Sequence, residues 1–209
     1  GSVLTKAVVF FGKAPLSPAD EQALWHRLPP AICGHIAAKP VQDRRGSLLA
    51  YTALSLLLPE PQRLSAVRFP DGGKPHFADL RGEFSLSHTD GAIAAAIRNS
   101  AVGIDVQALS PPRFGVVRRF FDADEQAALQ NAAPTEQPSL FTRLWTKKEA
   151  AVKRTGRGIG GLNDPLDPHA VFSFAEGDGF SACVCAAEAI EIAIFPVGQL
   201  IDRALAKKH

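Results

Sequence analysis

An α+β chain of two similar-sized halves, 1–100 and 101–209, is what this sequence predicts, and three observations predict it. Helix-like stretches carry recognisable start and stop residues; strand-like apolar runs of three to six residues sit between Gly, Pro, Asp and Asn; and blocks of the two kinds occur twice, split near residue 100. At about 150 residues per domain, 209 residues make one large or two small units with a real core.

Val8 to Phe11 reads as the first strand. Ser17 then caps a helix with Pro18 at N1 and Asp20 at N3, and Pro29-Pro30 stops it. Asp43 to Leu58 is a second helix, apolar around most of its circumference, ended by Pro59 and read as centrally packed; its charge is the basic start Arg44-Arg45. Ala66 to Phe69, Phe84 to His88, Ile93 to Ile97 and Val102 to Val106 are short strands. Helices return at Arg113 to Phe121, after Asp122 with Glu125 at N3, and from about Ser139 to Thr155, closed by Gly156 and Gly158. Phe172 to Phe174, Phe180 to Cys185 and Ile190 to Phe195 are strands again, and Ile201 to Lys208 is a short basic tail helix.

Lys plus Arg (23) against Asp plus Glu (21) gives a net charge of +2, which disfavours a nucleic-acid binder held by bulk charge. With 46% hydrophobic and 21% charged residues, the chain lies outside the composition of disordered proteins. The longest uncharged run, Gly46 to Pro59, is too short for the ~20 apolar residues of a membrane span. The start is not read as a secretory signal, Gly1-Ser2 reads as a remnant of cloning, and the expected location is the cytoplasm. Cys183 and Cys185 share one strand face and read as a reduced structural pair, not a zinc site.

Four clusters combine polar residues with strand ends or a helix face, and each has an ordinary structural explanation beside the functional one. Gly72-Gly73-Lys74-Pro75-His76 is a tight turn that brings backbone and an ammonium towards a ligand, or a plain surface hairpin. Ser87, His88 and Thr89 end a strand in donors fit for phosphate oxygens, or in a polar exit; adjacent residues on a strand point opposite ways, which disfavours a Ser-His-Asp triad. Asp105 and Gln107 share one strand face, as metal ligands or as edge residues facing water. Trp145, Glu149 and Lys153 line one helix face, as a site or as a packed tryptophan above a Glu–Lys pair worth roughly 0.3 kcal/mol. From Arg143 to Arg157 six basic residues (Arg143, Lys147, Lys148, Lys153, Arg154, Arg157) stand against Glu149 alone, a local 6 − 1 = +5. A lone acid in that field suits Mg²⁺ bound to a polyphosphate.

Taken in order, the Gly-Lys-Pro turn, Phe84-Ser85-Leu86-Ser87-His88, Gly103-Ile104-Asp105-Val106-Gln107, Arg119-Phe120-Phe121 with Glu125, and Leu144 to Lys153 closely resemble the 4′-phosphopantetheinyl transferases of the surfactin-synthetase-activating (Sfp) type, over residues 72 to 158. The resemblance implies a pseudo-dimer of two α/β halves with the active site between them. It implies Mg²⁺-dependent transfer of the phosphopantetheine arm of coenzyme A to a serine of an acyl or peptidyl carrier protein, with release of 3′,5′-ADP. Asp105 and Glu149 map onto the family's metal-binding acids and Lys153 onto its pyrophosphate lysine. Lys74, Pro75, Ser87 and His88 map onto the coenzyme A site, with Arg44 or Arg45 expected at the nucleotide 3′-phosphate. Glu125 matches an acid proposed to deprotonate the acceptor serine, although its capping-box position explains it equally well; Glu149, directly or through water, is the other candidate base. Gln107 departs from the family, many of whose members carry a third acid there; its carbonyl remains a possible Mg²⁺ ligand. Arg118-Arg119 and the Arg143 to Arg157 stretch are expected to meet an acidic carrier helix. A monomer is implied, and neither a nucleic acid nor a membrane is an expected partner. The rivals are a non-catalytic relative that binds coenzyme A or a carrier without transfer, and another Mg²⁺-dependent phosphoryl-transfer or hydrolytic enzyme. The latter is disfavoured because the chain has no Walker-type loop.

Overall fold

A computed structural model describes residues 5–79, 81–177 and 179–206. Gly1 and Ser2, and Lys207 and Lys208 of the expected tail helix, lie outside the described residues. The elements are β1 (Lys6–Phe11), α1 (Pro18–Arg27), α2 (Pro30–Ala37), α3 (Val41–Leu57), β2 (Val67–Arg68), β3 (His76–Phe77), β4 (Glu83–Thr89), β5 (Ala92–Arg98), β6 (Gly103–Ala108), α4 (Phe114–Phe120), α5 (Ala123–Asn131), α6 (Gln137–Thr155), β7 (Val171–Gly177), β8 (Phe180–Ala186), β9 (Ile192–Pro196) and α7 (Val197–Ala206). The mixed α+β class is as expected.

Local chemistry sets most boundaries. Ser17 accepts from Asp20 N at 3.1 Å to open α1, Asp122 and Glu125 form a reciprocal capping box at α5, and Gly156 closes α6 at φ +74°. The sequence reading missed α2: Pro29-Pro30 does stop α1, but Pro30 also supplies the fixed φ of a first helical turn.

One sheet runs β4-β5-β1-β9 and a second runs β6-β8-β7. The last strand returns to lie parallel to β1, so α7 packs against α1, α3 and β1. Ala7 and Val9 of β1 and Ala92, Ala94 and Ala96 of β5 face Ile104, Val106, Ala182 and Val184 of the other sheet, and these small alanines let the sheets approach closely. Opposite faces pack on helices: Val8, Phe10 and Phe84 on α3, and Cys183 and Cys185 on Ala150 of α6. The result is four layers, helix, sheet, sheet, helix. All three cysteines are free thiols, and burial pushes those of Cys183 and Cys185 up, away from the thiolate.

The two sheets meet along a seam of edge strands. Ser85, Ser87 and Thr89 of β4 accept from the backbone N–H groups of Ile104, Val106 and Ala108 of β6 at 3.0, 3.1 and 3.4 Å. Period two puts the three hydroxyls on one side of β4, and they satisfy edge donors that no strand pairs.

Candidate active site

A cleft of about 760 Å³ opens at this seam, walled by α3, β4, β6, the turn before β3 and the C-terminal half of α6. Lys39, Lys74, Pro75, Ser87 and His88 reach it from the first half of the chain, and Asp105, Gln107, Glu149 and Lys153 from the second.

Asp105 is 2% exposed and held by three donors. Its Oδ1 accepts from Lys153 Nζ at 2.9 Å and Ser87 Oγ at 3.1 Å, and its Oδ2 from Gln107 Nε2 at 2.8 Å. Lys153 also donates to the carbonyl of Leu86 at 3.2 Å, so it spans α6, β4 and β6. It pairs with Asp105, 48 residues away in sequence, and not with its helix neighbour Glu149 as an i, i+4 bridge would have it. That approach of helix to strand needs Gly103: a Cβ there would overlap the Ala150 carbonyl and Arg154 N.

Glu149 is the contrasting acid. Among the described residues its carboxylate has no hydrogen bond or ion pair, and burial first, then the charge of Asp105, pushes its pKa up, against the pull of Lys153 and Arg113.

The basic side chains are tethered. Lys74 donates to the carbonyl of Val102 at 2.7 Å, lies 3.9 Å from Glu83, and is drawn down to a pKa of about 8, chiefly by burial. His88 packs against α3 with Nε2 3.4 Å from Ser47 Oγ; burial, then the charges of Lys39 and Lys153, lower its pKa, while Asp43 opposes them.

Several expectations change. Ser87 gives its one proton to Asp105 and accepts from Val106, so it has none for a phosphate. Arg44 Nε donates to the Lys39 carbonyl at 2.9 Å, Arg45 pairs with Glu21 at 3.0 Å, and neither lines the cleft; Lys39 and His35 do. The sequence reading missed both because His35 lies on α2, and Lys39 just after it, and that helix was not expected. Glu125 also lies off the cleft lining, bonding the backbone of Asp122 and pairing with Lys148 at 2.7 Å, so structure alone accounts for it. The basic stretch on α6 is not a bare +5 field. Arg143, Lys148, Lys153, Arg154 and Arg157 pair with Glu176, Glu125, Asp105, Asp167 and Asp164, and Lys147 lies over Phe172.

Two carboxylates facing one cleft, one of them without a partner, beside Lys39, Lys74, His88 and Lys153, form a hard-oxygen donor set suited to Mg²⁺ shared with a phosphorylated ligand. Among the described residues no three His, Cys, Asp or Glu side chains cluster as ligands, so a third protein donor would be the Gln107 amide oxygen, whose N–H side is turned to Asp105. No described helix is long and apolar enough to cross a membrane.

Residues 101–191 match the family model of the 4′-phosphopantetheinyl transferase superfamily. The 4′-phosphopantetheinyl transferase gsp of Aneurinibacillus migulanus is 36% identical over 114 residues, 54% of this chain and 48% of the relative. Sfp of Bacillus subtilis strain 168 is 32% identical over 116 residues, covering 54% and 50%. The match spans about half the length of these two relatives. AcpT of Salmonella typhimurium is 31% identical over 168 residues, covering 76% of this chain and 84% of the relative. With a match of that extent, and with the acids and lysine of the cleft inside or beside the matched family segment, the chain belongs to the 4′-phosphopantetheinyl transferase superfamily.

Proposed function

We propose that this chain transfers the 4′-phosphopantetheine arm of coenzyme A to a serine of an apo acyl or peptidyl carrier protein, releasing 3′,5′-ADP. The observation that carries the reading is the pairing of a partnerless carboxylate, Glu149, with the Lys153–Asp105 pair in one cleft ringed by Lys39, Lys74 and His88.

In this reading the serine oxygen forms a bond to the phosphorus that bears pantetheine, the P–O bond to the bridging oxygen breaks, and the serine proton passes to Glu149. In the metal-free cleft, burial and the neighbouring charge of Asp105 push the pKa of Glu149 up. Glu125, the other candidate, lies off the cleft lining and pairs with Lys148, which favours Glu149 for that role. Lys74, His88 and Lys153 hold the phosphates, their positions fixed before the ligand arrives, so little reorganisation opposes the developing charge. Lys39 takes the place expected of Arg44 or Arg45 at the nucleotide phosphate. Asp105 and Glu149, with Gln107 as a neutral third, would hold Mg²⁺, which when bound supplies charge neutralisation on the pyrophosphate.

Both halves supply walls of the one cleft, which supports a pseudo-dimer divided near residue 100, with the site between the halves and a monomer as the working unit. Free buried thiols accord with a cytoplasmic setting.

The test is intact-protein mass spectrometry of apo carrier proteins incubated with this protein, coenzyme A and Mg²⁺, with an EDTA control. Gain of one phosphopantetheinyl group, lost with EDTA, is expected. Calorimetric binding of coenzyme A with no gain on any carrier would instead identify a non-catalytic relative.

A further inference from the structure

α3 contains one glycine, Gly46, at a position with no obvious use for it. Its φ is not left-handed, and glycine is disfavoured inside a helix. The reason lies on β4. A Cβ at position 46 would come under 3.0 Å from three atoms, Nδ1, Cγ and Cε1, all of them in the His88 ring. The bare backbone of α3 therefore lies against the imidazole, and the next residue, Ser47, places its hydroxyl 3.4 Å from Nε2. Phe84, Leu86 and His88 share the face of β4 that packs on α3, so the ring has this helix as its bed and the cleft as its outlet.

We propose that Gly46 is a positioning residue for His88: the missing side chain lets the imidazole lie on α3 in reach of Ser47, and this sets its place among the groups that hold the phosphates of coenzyme A. The proposal rests on the reading of the cleft as a coenzyme A site. Any residue with a Cβ pushes the ring towards the cleft and away from Ser47. The strain falls on a side chain with two rotatable bonds and not on the backbone, so the consequence is lost binding geometry and not a lost fold.

The experiment is a double-mutant cycle of Gly46→Ala and His88→Ala, read by calorimetric affinity for coenzyme A, by melting temperature and by the imidazole NMR resonances, with His88 assigned from the spectrum of His88→Ala. Gly46→Ala is expected to weaken coenzyme A binding about tenfold and to move the His88 resonances, with a melting temperature equal to or above that of the unmodified protein. In the His88→Ala background the same substitution should change affinity less than twofold, because the atoms it strikes are gone. Unmoved His88 resonances in Gly46→Ala, or an affinity loss that persists undiminished without the imidazole, would overturn the proposal. If the unmodified protein does not bind coenzyme A, the reading of the cleft fails, while the resonances still decide whether Gly46 places the ring.

Discussion

The two walls of the cleft hold their polar groups by opposite means. On the β4 side Ser85, Ser87 and Thr89 are bonded to the backbone of β6, and Lys74 to the carbonyl of Val102. On the α6 side Asp105 is as fully engaged, but among the described residues Glu149 above it has no partner, and neither has the buried hydroxyl of Ser181 on the strand behind. A wall whose donors and acceptors are satisfied is rigid and poor in chemistry. A wall that keeps a carboxylate in reserve beside a fixed charge has somewhere for a proton to go.

The sharpest way to break that contrast is to neutralise the reserved carboxylate. Glu149→Gln should lower transfer by about 10²–10⁴-fold, the usual worth of a positioned proton acceptor, with no fall in melting temperature because no bond is lost. Mass-spectrometric turnover and circular dichroism report both. Asp105→Asn should also suppress turnover and should lower the melting temperature, since Lys153 loses its counter-charge. As the charge of Asp105 is one cause of the raised pKa of Glu149, the remaining activity should keep its proton acceptor to lower pH than the unmodified protein does. An acid limb that stays in place would separate the two acids.

The β4 wall is tested next, through Lys74. Its pKa is drawn down to about 8, so the ammonium is present below that pH and is lost as pH rises through it. Coenzyme A, an anion, should therefore bind several-fold more weakly at pH 9 than at pH 7. Lys74→Arg, charged throughout, should flatten the dependence, and Lys74→Met should weaken binding at pH 7 by about 10–100-fold, the loss of a charge-assisted hydrogen bond of ~1.5–3 kcal/mol. Calorimetry across the pH range decides. A profile unchanged in Lys74→Arg would assign the titration to another group.

Much of this was legible in the sequence because it is local. The caps at Ser17, Asp122 and Gly156, the buried stretch of α3 and the shared face of Asp105 and Gln107 all follow from spacing. What was not legible depends on which distant residue arrives. Arg44 and Arg45 have the right charge, but the turn of α3 that carries them gives one to the Lys39 carbonyl and the other to Glu21. The basic run on α6 looked unopposed because its acids come from α5, β7 and the loop after α6. The serines of β4 had the alternation of a polar strand face, yet nothing local says that the facing partner is an unpaired strand edge.

Gln107 marks the boundary between the engaged and the reserved groups. Its N–H donates to Asp105, and Gln107→Glu would replace that bond with a like-charge contact. Without Mg²⁺ the variant should melt lower by roughly 1 kcal/mol of stability, the worth of a typical lost hydrogen bond. With Mg²⁺ the added carboxylate should reduce the metal concentration for half activity several-fold. An unchanged magnesium titration would mean that residue 107 does not face the metal.

Two serines of nearly equal burial, Ser87 at 6% and Ser181 at 1% exposure, compare the walls by stability alone. Ser87→Ala removes a donor from Asp105 and leaves Val106 N without an acceptor, so it should cost about 1–3 kcal/mol. Ser181 is paired with Gln107 across the β6–β8 ladder, and its hydroxyl is desolvated without return. Ser181→Ala removes that penalty and should leave the melting temperature unchanged or raise it by a few degrees, ~1 kcal/mol at most. Thermal melts of the two variants side by side give the sign. If Ser181→Ala melts well below the unmodified protein, its hydroxyl is held by a buried water, and the α6 wall is as fully engaged there as the β4 wall, leaving Glu149 as the cleft's reserved group.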